Sequence, residues 1–363
     1  MSLVAGCGSR TALDGGELLL GQVDASGPPS CGSDCGGSAR VDARPEGDTG
    51  QARVDAGPGR VEAGIDAAGP HDADRTPVLV LFGGVAKWDG EPLPDTWTFD
   101  GAQWTQLSVA TSPPARSYGC MATRGNRVVL FGGQDAHGDP LDDTWLFDGT
   151  SWTEAVSPAP AATADGMMAS LPSSVMLLGG VGPEGEAMSD MWIFDMMTWT
   201  EPTLSGALPP GRAAGAMAAF GQGAVLFGGS NPTGILNDTW SYDGASWNSV
   251  SVVTPPPARW EATLAALGDS TLVLFGGMAE GGLLNDTWTF DGASWSEVVV
   301  ASTPSLRSAA SIVEFGSSVV LFGGAGETEA LNDTWIFDGS TWTEISVSNP
   351  PLPRFGAGMA LLP

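Results

Sequence analysis

A cassette of about 47 residues is written six times along this chain, and that constrains the fold more than any other feature. Adjacent glycines stand at 83–84, 132–133, 179–180, 228–229, 276–277 and 323–324. A tryptophan follows each pair, at 97, 145, 192, 240, 288 and 335, so the period is 47 or 48 residues. A second tryptophan comes seven positions later each time, at 104, 152, 199, 247, 295 and 342. A fixed period of this size marks a chain built from one supersecondary unit stacked on copies of itself.

Each copy contains four runs of strand length, in the second copy near 116–123, 127–132, 143–148 and 151–156. Gly, Pro, Asn and Asp punctuate the runs, and no helical period is present. The third and fourth runs are joined by Asp-Gly in five copies, a pair that accepts the positive φ angles of a tight reversal. The sixth, Asp195 followed by Met196, predicts the least regular unit. Four antiparallel strands repeated six times form a radial array of blades.

The cassette resembles the kelch motif: an apolar strand ending in Gly-Gly, a strand bearing an aromatic, and a second aromatic at short spacing. The resemblance covers 77–363 and implies an all-β, six-bladed kelch β-propeller. Val78 opens on a second-type strand, whereas 355–362 read as a first-type strand with no Gly-Gly after it. The C-terminal strand is therefore expected to complete the first blade and close the ring, removing an exposed edge.

Composition divides the chain. Residues 1–76 carry 12 acidic and 6 basic side chains; residues 77–363 carry 30 and 8 together with all 14 Trp, so the two parts contribute −6 and −22 to the net −28. Residues 1–76 are rich in Gly, Ala, Asp and Pro and read as a disordered low-complexity linker. Val4-Ala5-Gly6-Cys7 resembles a bacterial lipobox, which implies lipid on Cys7 and a surface-tethered protein of the cell envelope, an outer-membrane lipoprotein or a secreted protein. Only six residues precede Cys7, too few for the charged and apolar regions of a signal peptide. Cys31 and Cys35 suit a local disulfide in an oxidising envelope, and His71 reads as solvated. With one Lys in the chain and strong acidity, nucleic acid is excluded as a partner. No run of 18 apolar residues is present to cross a membrane.

Residues that recur are expected to hold the fold. The twelve repeat Trp should pack between blades. The Gly pairs should admit close backbone approach. The Asp at 95, 143, 190, 238, 286 and 333 should accept bonds from local backbone N–H groups. Arg opens the first-type strand at 116, 212, 259, 307 and 354, with Ala164 in the sixth slot. Two readings stand for Arg116, Arg212, Arg259, Arg307 and Arg354: charge-assisted pairs with a repeat Asp or loop carbonyls, or a ring at the channel mouth that draws in an anion.

Residues that break the repeat are the candidates for recognition. The long second-to-third connections and the Pro-rich crossings share one face, where binding residues favour variable loops on a rigid scaffold. Trp88 lies in the first such loop beside Lys87 and Asp89. Trp260 follows Arg259, Phe355 holds the matching place after Arg354, and Tyr118 and Glu261 each stand two residues after a repeat Arg. Asp135, His137 and Asp139 share a loop and read as solvated rather than metal-binding. Cys120, on an inner strand, reads as buried and unreactive.

Some kelch propellers are enzymes. The copper oxidases of that kind need two Tyr and two His plus a Tyr–Cys link, and Tyr118, Tyr242, His71 and His137 are not placed to supply them. Sialic-acid mutarotases are a second class, for which Glu261 and Arg259 are the acid–base candidates. The reading reached is a monomeric, non-enzymatic binding module for glycan or protein, without a cofactor. The alternative is a periplasmic sugar-modifying enzyme of the mutarotase type.

Overall fold

Alternating apolar residues, β-branched and aromatic side chains, and Asp-Gly turns make strands of two to eight residues throughout, and a computed structural model describes residues 76–155 and 160–363. Cys7, Cys31, Cys35, His71 and the N-terminal linker lie outside the described residues. Those described contain no helix. They form six four-stranded antiparallel sheets. Blade 2 is typical: Cys120–Arg124, Arg127–Phe131, Thr144–Phe147 and Trp152–Glu154, ordered from the axis outward. The innermost strands of successive blades touch one another around the axis.

The ring closes as the sequence predicts. Gly358–Leu362 pairs with Val78–Phe82 in blade 1, in the register Leu79 to Leu361 and Leu81 to Met359. Short hairpins decorate two of the long connections, Ser230–Asn231 with Gly234–Ile235 and Met278–Ala279 with Gly282–Leu283.

Six of the seven hydrophobic clusters sit one at each blade-to-blade contact, and the seventh gathers Val85, Ala325, Ala330 and Phe355 between blades 6 and 1. Between blades 1 and 2, Val80, Phe82, Val128, Leu130, Phe147 and Trp152 are buried together. Between blades 6 and 1 the corresponding group includes Leu79, Leu81, Phe99, Trp104, Val320 and Phe322. Burying side chains of this size stabilises by roughly 1.5–3 kcal/mol each.

The second Trp of each copy also carries a directional bond. Trp104 Nε1 donates to Thr334 Oγ1 at 3.0 Å, and Trp152, Trp199, Trp295 and Trp342 donate in the same way to Thr96, Thr144, Thr239 and Thr287 of the preceding blade. These threonines are buried. Blade 4 departs: Trp247 Nε1 meets Met191 Sδ at 3.3 Å.

Gly-Gly is required by a close approach. The carbonyl oxygen of Arg116 accepts from Gly84 N–H at 2.9 Å, linking blade 2 to blade 1. A Cβ on Gly83 would stand 2.4 Å from that same oxygen, and Gly83 and Gly84 have φ of 75° and 87°. The other five pairs repeat the contact.

Blade 3 is the least regular, as expected from its sequence. Its outer strand is only Trp199–Thr200, and the register shifts between Met188 and Met191. Met196 takes the turn position that Gly holds elsewhere, at φ 80°.

Candidate functional site

At the start of every inner strand one residue takes the left-handed conformation: Tyr118, Asp165, Ala214, Glu261, Ala309 and Gly356, with φ between 49° and 62°. An L-residue there is strained by roughly 1–2 kcal/mol. The strain is offset by a closed circuit of backbone hydrogen bonds around the axis. Tyr118 N–H donates to Gly356 O, Asp165 to Tyr118 O, Ala214 to Asp165 O, Glu261 to Ala214 O, Ala309 to Glu261 O and Gly356 to Ala309 O, at 2.7–3.1 Å. The residue after each is Gly or Ala, which leaves an axial cavity of about 170 Å³ lined by both sets.

Three of the six positions put polar groups into that cavity: Tyr118, Asp165 and Glu261. Ser308 Oγ donates to Glu261 Oε2 at 2.7 Å. Burial, and then the charge of Glu261, push the Asp165 carboxyl up to about 8. The backbone N–H groups of the ring are consumed by the circuit. What faces the cavity is therefore a carboxyl pair and a phenol, an electronegative mouth on an acidic domain.

The five arginines belong to the fold. Each guanidinium is at most 1 % exposed. Arg354 Nη1 donates to Asp95 Oδ1 at 2.6 Å and to Gly83 O at 3.0 Å, Nη2 to Asp95 Oδ2 at 2.9 Å, and Nε to Leu352 O at 3.0 Å. Arg116, Arg212, Arg259 and Arg307 do the same with Asp143, Asp238, Asp286 and Asp333. A guanidinium so saturated has little left to offer an anion, so the arginine ring at the mouth is corrected to five buried pairs. The repeat Asp is corrected too. It accepts chiefly from Arg and from the indole two residues on, as Trp97 Nε1 to Asp95 Oδ2 at 2.7 Å, with its own backbone N–H the smallest contribution. Burial alone pushes these carboxyls up, but the Arg hydrogen bonds and charge outweigh it and hold each below its ordinary value.

Blade 3 lacks the unit. The inter-blade carbonyl supplied elsewhere by Arg comes from Thr163, bonded by Gly133 N–H at 2.8 Å, so Thr163 and not Ala164 fills the sixth slot. Asp190 is exposed and the buried Trp192 Nε1 has no partner among the described residues. The same one-residue offset concealed Asp165. Aligning Asp165-Gly166 with Tyr118-Gly119 was the signal that finds it.

The aromatic candidates divide. Trp88 is 50 % exposed and its ring sits 4.5 Å from that of Phe355, centroid to centroid. Phe355 is buried, which removes it from direct contact with a ligand; it meets the Tyr118 ring at 6.3 Å. Trp88, Phe355 and Tyr118 thus run from a long loop to the axial ring. Trp260 is partly buried and bridges to Met278 at the same face.

His137 is exposed, and Asp135 accepts the backbone N–H groups of His137 and Asp139. Among the described residues no group of three or more His, Cys, Asp and Glu is gathered to hold a metal. No helix among them is long and apolar enough to cross a membrane. Burial pushes the Cys120 thiol up to about 12, so it is inert at neutral pH.

The fold and its axial mouth define a β-propeller of the kelch class. The family description KLHDC2/KLHL20/DRC7 Kelch-repeats domain matches residues 75–252 and 244–362. The chain belongs to the kelch-repeat family. No curated protein matches it.

Proposed function

We propose that the propeller is a non-enzymatic binding module that takes a partner protein on its long-loop face, with a cationic group of the partner, a Lys or Arg side chain or an amino terminus, seated in the axial mouth. The kelch propeller is a common protein-binding scaffold. The observation that carries the finer reading is the hub: Tyr118, Asp165 and Glu261 face one cavity while the nearest arginines are neutralised inside the fold. Trp88, half exposed at its rim, supplies contact area of the kind that anchors interfaces. A charge-assisted bond is worth about 1.5–3 kcal/mol, so Glu261→Gln should weaken a basic peptide selected against residues 1–363 about tenfold or more. Trp88→Ala should weaken it similarly without changing the melting temperature. Equal capture of basic and acidic peptides from an array would overturn the reading.

The same proposal places the propeller on a tether in the bacterial cell envelope, lipidated at Cys7 with residues 8–76 as spacer. It rests on the Val4–Cys7 motif and the linker composition. Mass spectrometry of the native protein should find a lipid mass on Cys7; an intact, unmodified Met1 overturns it.

A second reading, proton transfer on a sugar, draws on the carboxyl pair. Asp165, raised to about 8, holds a proton at neutral pH while Glu261 accepts a hydrogen bond from Ser308, and two carboxyls held apart in this way can act as acid and base. NMR exchange between anomers of acidic and neutral sugars tests it. No acceleration by the wild type over Glu261→Gln removes it.

A further inference from the structure

The hairpin turns of the blades lie at the end opposite the long loops, and there one blade contact departs from the others. Five copies place Phe at the last position of the third strand, Phe99, Phe147, Phe194, Phe290 and Phe337, each with no exposed surface. Blade 4 has Tyr242, 7 % exposed, which adds a hydroxyl at that position.

The covering residue differs as well. A Cβ on Gly101 would stand 2.9 Å from the ring of Phe315, and one on Gly292 would stand 3.1 Å from the ring of Phe220. Over Gly339 the cover is Leu267, at 3.3 Å. Over Gly244 nothing lies within 4 Å. The residue in the covering position of blade 3 is Leu171, and between it and blade 4 opens a cleft of about 360 Å³. Tyr242, Ser174 and Gln222 line it with hydroxyl and amide groups; Leu171, Pro172 and Ile193 give it an aliphatic wall. The residues lining it are uncharged, and the Asp243 carboxylate stands in the turn beside it, close enough to act on Tyr242. The size of the cleft falls at the lower end of the range for small-molecule sites.

We propose that this cleft between blades 3 and 4 binds one small uncharged hydroxylated molecule, of the size of a single sugar ring, with the Tyr242 hydroxyl as its principal hydrogen-bonding group. Such a molecule presents a hydroxylated edge to Tyr242, Ser174 and Gln222 and a C–H face to the aliphatic wall. The uncharged lining, beside the Asp243 carboxylate and within an acidic domain, selects against anions. The site is separate from the long-loop face and does not depend on what binds there.

The test is saturation-transfer NMR and calorimetry on the full chain with methyl glucoside, galactose and N-acetylglucosamine. At least one should bind. Tyr242→Phe, which installs the residue of the other five blades, should weaken it about tenfold, as expected for one lost hydrogen bond of about 1.4 kcal/mol. Leu171→Phe, which copies the cover of Phe220 and Phe315, should abolish binding. Because both changes restore what sister blades already contain, both variants should keep the wild-type melting temperature. Trp88→Ala should leave sugar binding intact. Absence of binding by all three sugars overturns the proposal, as does binding that survives both substitutions.

Discussion

At the scale of single residues, charge is divided between holding the fold and facing the axis. Removing one partner of a buried, hydrogen-bonded ion pair costs about 3–5 kcal/mol. Arg259→Ala is therefore expected to lower stability by roughly 3 kcal/mol, read from denaturant midpoints, the partial exposure of Asp286 keeping it at the low end. The pH dependence follows from linkage. Asp95, Asp143, Asp238, Asp286 and Asp333 are held below their unfolded value of 3.8, so their contribution is fully present above it and drains away as pH falls below about 4. Asp165 behaves in the opposite sense. Its folded pKa is raised to about 8, so the folded state holds a proton that the unfolded chain has released, and stability declines as pH climbs from about 4 to 8. Asp165→Asn should raise the melting temperature at pH 8 and have little effect at pH 4; an equal gain at both would refute the assignment.

At the scale of the element, each blade is latched to its neighbour by an indole and a threonine. Thr144→Val leaves the Trp199 Nε1 buried without an acceptor, at a cost of about 1–3 kcal/mol, measurable by chemical denaturation. Blade 3, with a two-residue outer strand, no Arg–Asp pair and an unpartnered Trp192 Nε1, should show the fastest amide hydrogen exchange among the blades. Its irregularity was legible from Asp195-Met196, where a turn that favours glycine is given another residue. The strands, the Gly pairs and the closing strand were equally legible, because each leaves a local mark. What acts across blades was not. The acceptor for Trp199 lies 55 positions away, whereas the pairing of a repeat Arg with a repeat Asp, as Arg354 with Asp95 inside blade 1, was one of the two readings the recurring slots offered. The cover missing above Gly244 is an absence that only neighbouring blades reveal. Asp165 was hidden for a simpler reason: counting the slot from Arg put Ala164 in place of Thr163.

At the scale of the whole molecule, the first and last described strands complete one sheet, and Arg354–Asp95 and Trp104–Thr334 seal the same joint. Deleting 354–363 removes the innermost strand of blade 1 and one buried ion pair together. The truncated chain should lose its single cooperative thermal transition, and an unchanged calorimetric profile would count against closure as the source of that cooperativity. The hub adds a different consequence. Its circuit is made by main chain alone, from amide to carbonyl and round again, so the identity of the residues that crown it is not what links one step of the circuit to the next. A phenol, two acids, two methyls and a bare glycine already coexist there. What this protein shows at its axis can therefore be rewritten one letter at a time, with the machinery that bears the strain left untouched.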